Sequence, residues 1–438
     1  MTEKKTQIVI AGGGAGGLEL AARLGRALGR DKFDIILLER ERTHIWKPLL
    51  HEVAAGSLDA NLDEVGYRSL GKQKGYRFFW GSLAGVDRDR RQVIVAPLID
   101  MDGSEIMGEQ RIRYDYLVIA VGSLTNDFGI EGVAENCLFL DTRRDADNFR
   151  QRLLNYCLRV SRKMATDPNA DEYVRVSIVG GGATGVELAA ELFNAAAALA
   201  HYGLEEFDES RLKVTLIEAG PRILPALPDE LAEAAHEELE NIGVEIVTGA
   251  AVTGASREGI TTKDGRYFPS DLRVWAAGVK APSFLKEIAG LETNRTGQLI
   301  TRDTLQTTND DRIFAIGDCS SFTPQGEERP VPPRAQAAHQ MADVVFDNIR
   351  RLIKERPLRK FRYNDYGSLV SLSHYSTVGS LMGNLVGGRM AVEGRLARFV
   401  YISLYRMHMM AIYGTVRGAI HIVVSAFNRV VRPKLKLH

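Results

Sequence analysis

Two glycine-rich runs hold the residues of this chain best suited to chemistry. Gly12-Gly13-Gly14-Ala15-Gly16-Gly17 and Gly180-Gly181-Gly182-Ala183-Thr184-Gly185 each follow an apolar run and open an apolar helical pattern, and each is answered further on by a carboxylate, Glu39 or Glu218. In such a run the first glycine permits a tight turn and the next lets the backbone approach a diphosphate. The last packs the helix on its strand, and the helix N-terminus meets the phosphate charge. The chemistry is the grip of a dinucleotide. A carboxylate about 20 residues beyond the last glycine accepts hydrogen bonds from a ribose; Glu218 stands further off because Tyr202 to Ser210 adds a polar insertion. One such run is weak evidence, whereas two in one chain predict a duplicated architecture.

The elements that must position these residues follow from periodicity. Thr6 to Ala11 and Phe33 to Leu38 read as strands around the first loop, Arg175 to Val179 and Val214 to Ile217 around the second. Tyr114 to Gly122 and Leu272 to Gly278 are buried strands running into small residues, which places Ala120, Gly122, Ala277 and Gly278 under the bound nucleotides. Between Glu39 and the next strands, the segment with Lys47, Pro48, Leu49, Leu50 and His51 leaves the C-terminal side of the sheet and passes near the reactive part of the dinucleotide, or is a loop anchored by Trp46. Tyr76 to Trp80, Gln92 to Ala96 and Ile106 to Ile112 predict an antiparallel insertion. Asp141 to Met164 predicts a long helix, as does the run from Arg334 to about Lys354, whose Ala335, Ala338 and Ala342 form a small face. Ile313 to Ile316 delivers Gly317 and Asp318 at a strand end, where the acid meets a sugar or ribityl hydroxyl or caps the next helix.

Composition removes several classes. The 438 residues carry 56 basic and 56 acidic side chains, so no global field points to nucleic acid. Cys137, Cys157 and Cys319 have neither redox nor zinc-ligand spacing, which predicts a reducing compartment, no metal centre and no dithiol. The N-terminus enters a strand without a signal peptide, and no stretch of 18 uncharged apolar residues predicts a spanning helix. Charge is nonetheless uneven: no acid follows Glu393, while eight Arg and Lys do.

Two dinucleotides side by side imply hydride and electron transfer, one molecule visiting and one resident. A carboxylate at Glu218 repels a 2'-phosphate, favouring NADH over NADPH, and Glu39 fits FAD equally. Without a dithiol, electrons leave a flavin directly. Glu187, early in the second helix, orients a nicotinamide, relays a proton or caps the surface; Gln336, Gln340 and His51 are polar groups able to meet a quinone carbonyl. In the tail, Leu396 to Thr415 read as one helix puts Arg395, Arg398 and Arg406 on one arc and Met407, His408 and Ala411 on the other. A second segment sets Ile420, Val423, Phe427, Val430 and Val431 opposite Arg417, Asn428 and Arg432. Such segments lie in an anionic membrane surface, or pack on the protein body or on a second subunit. A soluble flavoprotein reductase feeding a protein acceptor, and a non-enzymatic NADH-sensing flavoprotein, are the alternative classes.

The motifs Gly12 to Gly17, Lys47 to Glu52, Gly180 to Glu187, Trp275 to Val279, Gly317-Asp318 and Ala335-Gln336-Ala337-Ala338-His339-Gln340 together resemble the type II, non-proton-pumping NADH:quinone oxidoreductases of bacterial respiration. The last motif is the most specific. The resemblance implies an α/β protein of two Rossmann-like domains with a membrane-anchoring C-terminal region: residues 1–125 and 298–360 for FAD, 126–297 for NADH, and 361–438 for the anchor. It implies non-covalent FAD, electrons passing from NADH through FAD to a membrane quinone, and a homodimer peripheral to the cytoplasmic face of the inner membrane. By motif, Glu187 is the acid near the nicotinamide, and Gln336 and Gln340 are the quinone-site glutamines. Tyr366 stands where many members have lysine, so that lysine's role does not transfer.

Overall fold

The computed structural model describes residues 5–100, 102–167, 169–199, 203–204, 206–372, 376–381, 390–393 and 405–431. Two parallel sheets carry the fold. In the first, the order is Gln306–Thr307, Asp310–Ala315, Tyr116–Ile119, Thr6–Ala11, Phe33–Glu39, Arg77–Trp80, and only the short first strand runs antiparallel to its neighbour. In the second, the order is Leu272–Trp275, Val174–Val179, Leu212–Ile217, Val244–Val247, all parallel.

The two sheets repeat one plan. Each glycine-loop strand sits between the strand that ends in the acid and the late strand that ends in small residues. Ala11 pairs with Leu38 and Ile119, as Val179 pairs with Ile217 and Trp275. The interior strands are buried on both faces, which is why their sequences are nearly continuous Val, Ile and Leu. Arg77–Trp80 departs from expectation, because it closes the edge of the first parallel sheet against Phe33–Glu39. The antiparallel insertion is instead Leu83–Asp87, Gln92–Val95 and Gln110–Arg113. Its apolar face, Val86, Val93 and Ile112, packs in one cluster with Ile36 and Ile119 of the sheet.

Three devices bring the halves together. Leu124–Thr125 pairs antiparallel with Val279–Lys280, and Lys280 is 2.7 Å from Asp127. Helix Leu50–Ala55 leaves the first half and buries Leu50, Val53 and Ala54 in the cluster of helices Arg143–Thr166 and Ala183–Leu199 of the second. Strand Gly367–Leu372 carries Val370 and Leu372 into that same cluster. Helix Ala335–Ile353 covers the first helix, Ala15–Leu28, and its small face is used there: a Cβ on Gly16 would come within 2.8 Å of the Ala338 carbonyl. The 24-residue helix Arg143–Thr166 starts on a capping box, with Thr142 and Asp145 satisfying each other's backbone N–H groups.

In the described part of the tail the helix expected to reach Thr415 ends earlier. Residues 405–413 are helical, Gly414 breaks the run with a φ of 85°, and a second helix spans Thr415–Val431; 394–404 and Arg432 lie outside the described residues. Helix 405–413 packs inward through His408, Met409 and Ile412. The second helix shows the opposite pattern, with Val416, Ile420, Val423 and Val424 exposed at 72%, 59%, 68% and 51%. Spacing of four, three and one puts them on one face.

Candidate active site

The site is built at the C-terminal ends of the two sheets, beginning with the turns. Gly12 and Gly180 adopt φ values of 110° and 113°, and a Cβ would lie 2.2 Å from the Ala120 carbonyl oxygen at one and 2.8 Å from the Ala276 carbonyl carbon at the other. No side chain fits either turn. Gly14 and Gly182 are the reverse case: a Cβ on either meets no atom within 4 Å. The backbone is thus open where a diphosphate would lie, at the N-termini of helices Ala15–Leu28 and Ala183–Leu199, whose first turns hold no acid. Ala15 and Thr184 flank these openings, whereas Gly16, Gly17 and Gly185 are buried contacts of the helices.

The two terminal acids also brace the loops. Glu39 accepts the N–H of Gly13 at 2.5 Å and those of Arg40 and Glu41 at 2.8 and 3.1 Å. Glu218 accepts the N–H groups of Gly181 and Gly220, both at 2.6 Å. In each loop the carboxylate fixes the glycine between the turn and the opening, so the acid shapes the cradle itself.

Between the loops lies a polar cluster. Ser123, one residue past Gly122, donates to Asp318 at 2.8 Å, and its carbonyl accepts Lys47 Nζ at 3.1 Å. Lys47 also reaches Asp141 at 3.2 Å, which in turn accepts the Thr125 N–H and hydroxyl. Lys47 and Pro48 are exposed, but Leu49 and Leu50 are packed in the second-half core, so their side chains serve the fold rather than a cofactor contact. Ala120 is buried beneath Gly12, and Gly317 donates its N–H to the Met341 sulfur. Gly278, with Ala277 before it, is closed over by the Phe128 ring, 2.6 Å from where a Cβ would stand.

His51 and Glu187 come from different halves of the chain and meet in the interior. The imidazole Nδ1 is 3.5 Å from the carboxylate, with side-chain exposures of 4% and 8%. Burial pushes His51 down to about 4 against the upward pull of Glu191, so the ring is neutral near neutrality.

Gln336 and Gln340 are committed to the chain itself. Gln336 donates to Asp365 and to the Gly367 carbonyl at 3.2 and 2.9 Å and accepts the Tyr366 N–H at 3.1 Å. Gln340 donates to the Asn364 carbonyl and accepts its N–H. The glutamines therefore fasten residues 364–367, where Tyr366 is exposed, to helix Ala335–Ile353, with Ala335 at its first turn. Among the described residues one hydrogen of the Gln340 amide has no partner, while both hydrogens of Gln336 have partners.

Sequence reasoning missed Ser123 and Asp141, which carry no motif. It also missed Glu19, His44, Tyr67 and His408. Glu19 had a readable signal, a carboxylate inside the apolar pattern Leu18, Leu20, Ala21.

Two equivalent dinucleotide cradles joined across a short ribbon, with a buried acid–imidazole pair drawn from opposite halves, define a two-nucleotide reductase. Residues 6–342 match the family model for pyridine nucleotide-disulphide oxidoreductases. No dithiol accompanies the match: Cys137, Cys157 and Cys319 are buried and unpaired, and burial pushes their thiols up to about 11, 12 and 12. The type II NADH:quinone oxidoreductase of Haemophilus influenzae is 46% identical over 98% of this chain and 99% of its own length. That of Staphylococcus aureus is 29% identical over 89% and 93%. In fold, the chain matches the structure of NDH2 from Plasmodium falciparum in complex with NADH, with a TM-score of 0.81 at 20% identity, over 99% of this chain and all of that one. The chain belongs to the type II NADH:quinone oxidoreductase family.

Proposed function

We propose that the chain is a flavoenzyme that takes a hydride from NADH on FAD and passes two electrons to a quinone dissolved in a membrane, without moving ions across it. The observation that carries this reading is the pair of open cradles at Gly14 and Gly182, which fit two diphosphates. FAD belongs to the cradle of Gly12 to Gly17, with Glu39, Lys47, Ser123, Gly317 and Asp318 around it, and NADH to that of Gly180 to Gly185 with Glu218. Once bound, the flavin supplies reversible two-electron chemistry. The protein's part is to align the two nucleotides, keep water from the buried wall, and handle one proton: NADH delivers one with its electron pair, and the quinol needs two. Glu187, held against the neutral His51 ring, is the group suited to that proton. Gln336 and Gln340 hold the wall formed by residues 364–367, and the spare donor of Gln340 is the group proposed for a quinone carbonyl.

Stopped-flow absorbance tests the sequence of events. Flavin absorbance near 450 nm should bleach on adding NADH and return on adding a short-chain quinone; bleaching with no return would favour the sensing alternative.

The second tail helix supports attachment to a membrane surface. Among the described residues no helix is long and apolar enough to cross a membrane, whereas the exposed stripe Val416, Ile420, Val423 and Val424 suits the boundary of an anionic bilayer. A homodimer lying on the cytoplasmic face of the bacterial inner membrane completes the proposal. A chain ending at Gly414 should keep its flavin and its NADH half-reaction while binding to anionic vesicles falls at least 10-fold, because each buried apolar side chain contributes roughly 1.5–3 kcal/mol. Undiminished vesicle binding would return the soluble reductase reading.

A further inference from the structure

Behind the first cradle, four titratable side chains from four separate elements form one chain of hydrogen bonds. His44 follows the strand that ends in Glu39, Glu19 lies on helix Ala15–Leu28, His339 on helix Ala335–Ile353 and His408 on helix 405–413. His44 Nδ1 is 3.0 Å from the Gly13 carbonyl, and its Nε2 is 2.9 Å from His408 Nε2. His408 Nδ1 is 2.7 Å from one oxygen of Glu19, whose other oxygen is 2.5 Å from His339 Nδ1. Trp46, next to Lys47, lies against the His408 ring with centroids 4.2 Å apart. His44, Glu19 and His408 are buried, and among the described residues no group of such side chains is arranged to hold a metal ion.

Donor and acceptor counting fixes the protons. The Gly13 carbonyl only accepts, so His44 carries its hydrogen on Nδ1. Burial, aided by His408, pushes His44 down to about 3, so the ring is neutral and its Nε2 accepts from His408. The short His408–Glu19 contact then requires one further proton, shared by that pair. Burial raises the Glu19 carboxyl, but bonds from His339 and His408 outweigh it and bring it below its ordinary value.

The end of the chain is a dinucleotide contact. The Gly13 carbonyl has two lone pairs, and Tyr67 OH at 2.8 Å takes the one that His44 leaves. In a trans peptide the N–H of Gly14 points opposite that carbonyl, and a Cβ on Gly14 would meet open space. We propose that His408, carried by the C-terminal helix, is a positioning residue for FAD: through His44 it aims the Gly14 N–H at the diphosphate, and through Glu19 and Trp46 it couples docking of its own helix to occupancy of the cradle. Coupling of this kind is reciprocal, so FAD also holds the helix in place. The inference rests on FAD occupying the first cradle.

Two substitutions of equal chemistry separate the bonds. In His408→Gln the amide nitrogen replaces Nε2 and keeps the bond to His44; in His408→Asn it replaces Nδ1, keeping Glu19 and losing His44. Titration of the flavin-free proteins with FAD, read by quenching of flavin fluorescence, should give Kd values near wild type for Gln and about 10- to 100-fold weaker for Asn. Thermal unfolding of the flavin-free proteins should be similar, since each variant keeps one bond. Amide exchange in 405–413 should slow on adding FAD to wild type, and less in the Asn variant. Equal FAD affinities of the two variants, or helix protection indifferent to FAD, would overturn the proposal. A folded wild type unable to bind FAD would instead overturn the functional reading beneath it.

Discussion

Gly182→Glu is expected to raise the KM for NADH by about 100-fold or more while flavin content and thermal stability stay at their wild-type values. Space is not the obstacle, since a Cβ at Gly182 meets nothing within 4 Å and the position does not require a positive φ. Nor is the free helix harmed. Its first turn holds no acid, and a carboxylate there favours the helix dipole by about 0.3–1 kcal/mol. The penalty arises only when a diphosphate arrives. Two like charges about 4 Å apart at an effective dielectric near 20 repel by about 4 kcal/mol, and solvent screening at the cleft mouth leaves enough for two orders of magnitude. The mirror substitution Gly14→Glu should strip the flavin and leave NADH binding intact, because Gly14 is open in the same way. Spectra and steady-state kinetics of the pair read the assignment directly. Flavin lost from the Gly182 variant, with NADH binding preserved, would exchange the two cradles.

The duplicated plan was legible because each of its parts is local. Gly12 and Gly180 must turn, Glu39 and Glu218 end their strands, and near-continuous apolar runs mark strands covered on both faces. What the sequence hid was long-range. Arg77–Trp80 has the length and composition of an insertion strand, and only its partner Phe33–Glu39 makes it an edge of the parallel sheet. His51 and Glu187 were each visible as polar residues near a loop, yet their meeting depends on helix Leu50–Ala55 crossing into the other half. The tail shows a further limit. An amphipathic pattern states that a face will be covered without naming the cover, and here helix 405–413 packs on the body while the next helix leaves Val416, Ile420, Val423 and Val424 bare. Gly414 between them is the residue that permits the change of direction.

The wall at residues 364–367 is tied to both halves by the same kind of crossing. Gln336 and Gln340 bind residues 364–367 to the helix that covers Gly16, and strand Gly367–Leu372 continues from there into the core beside helix Ala183–Leu199. The wall at residues 364–367, proposed as the quinone side, is supported from both halves, so a change at either glutamine should be felt first as a loosened wall and only then as a lost contact.

Glu187→Gln is expected to slow reoxidation by quinone about 10- to 100-fold while changing the NADH half-reaction less than about 3-fold. Hydride transfer moves its proton with the electrons, so a neutral amide of the same shape serves that step as well as a carboxylate. The quinol needs one proton more than NADH brings, and an amide cannot carry it. His51 cannot substitute, because burial holds its pKa at about 4 and the ring is neutral across the working range. Stopped-flow traces of the two half-reactions separate the outcomes; a slowed first step with an unchanged second would make Glu187 an orienting group for the nicotinamide. The same burial gives the pair a signature in stability. A histidine whose folded pKa lies below its unfolded value near 6.5 contributes fully above pH 6.5, and that contribution is lost as pH falls toward 4, because the unfolded chain takes up a proton that the folded one refuses. His51→Gln removes this group's share, so the variant's unfolding free energy should vary less between pH 6.5 and 4 than the wild type's. Parallel curves for the two proteins would place a titrating, solvated imidazole at residue 51 and withdraw the dry acid–imidazole wall on which the proton assignment depends.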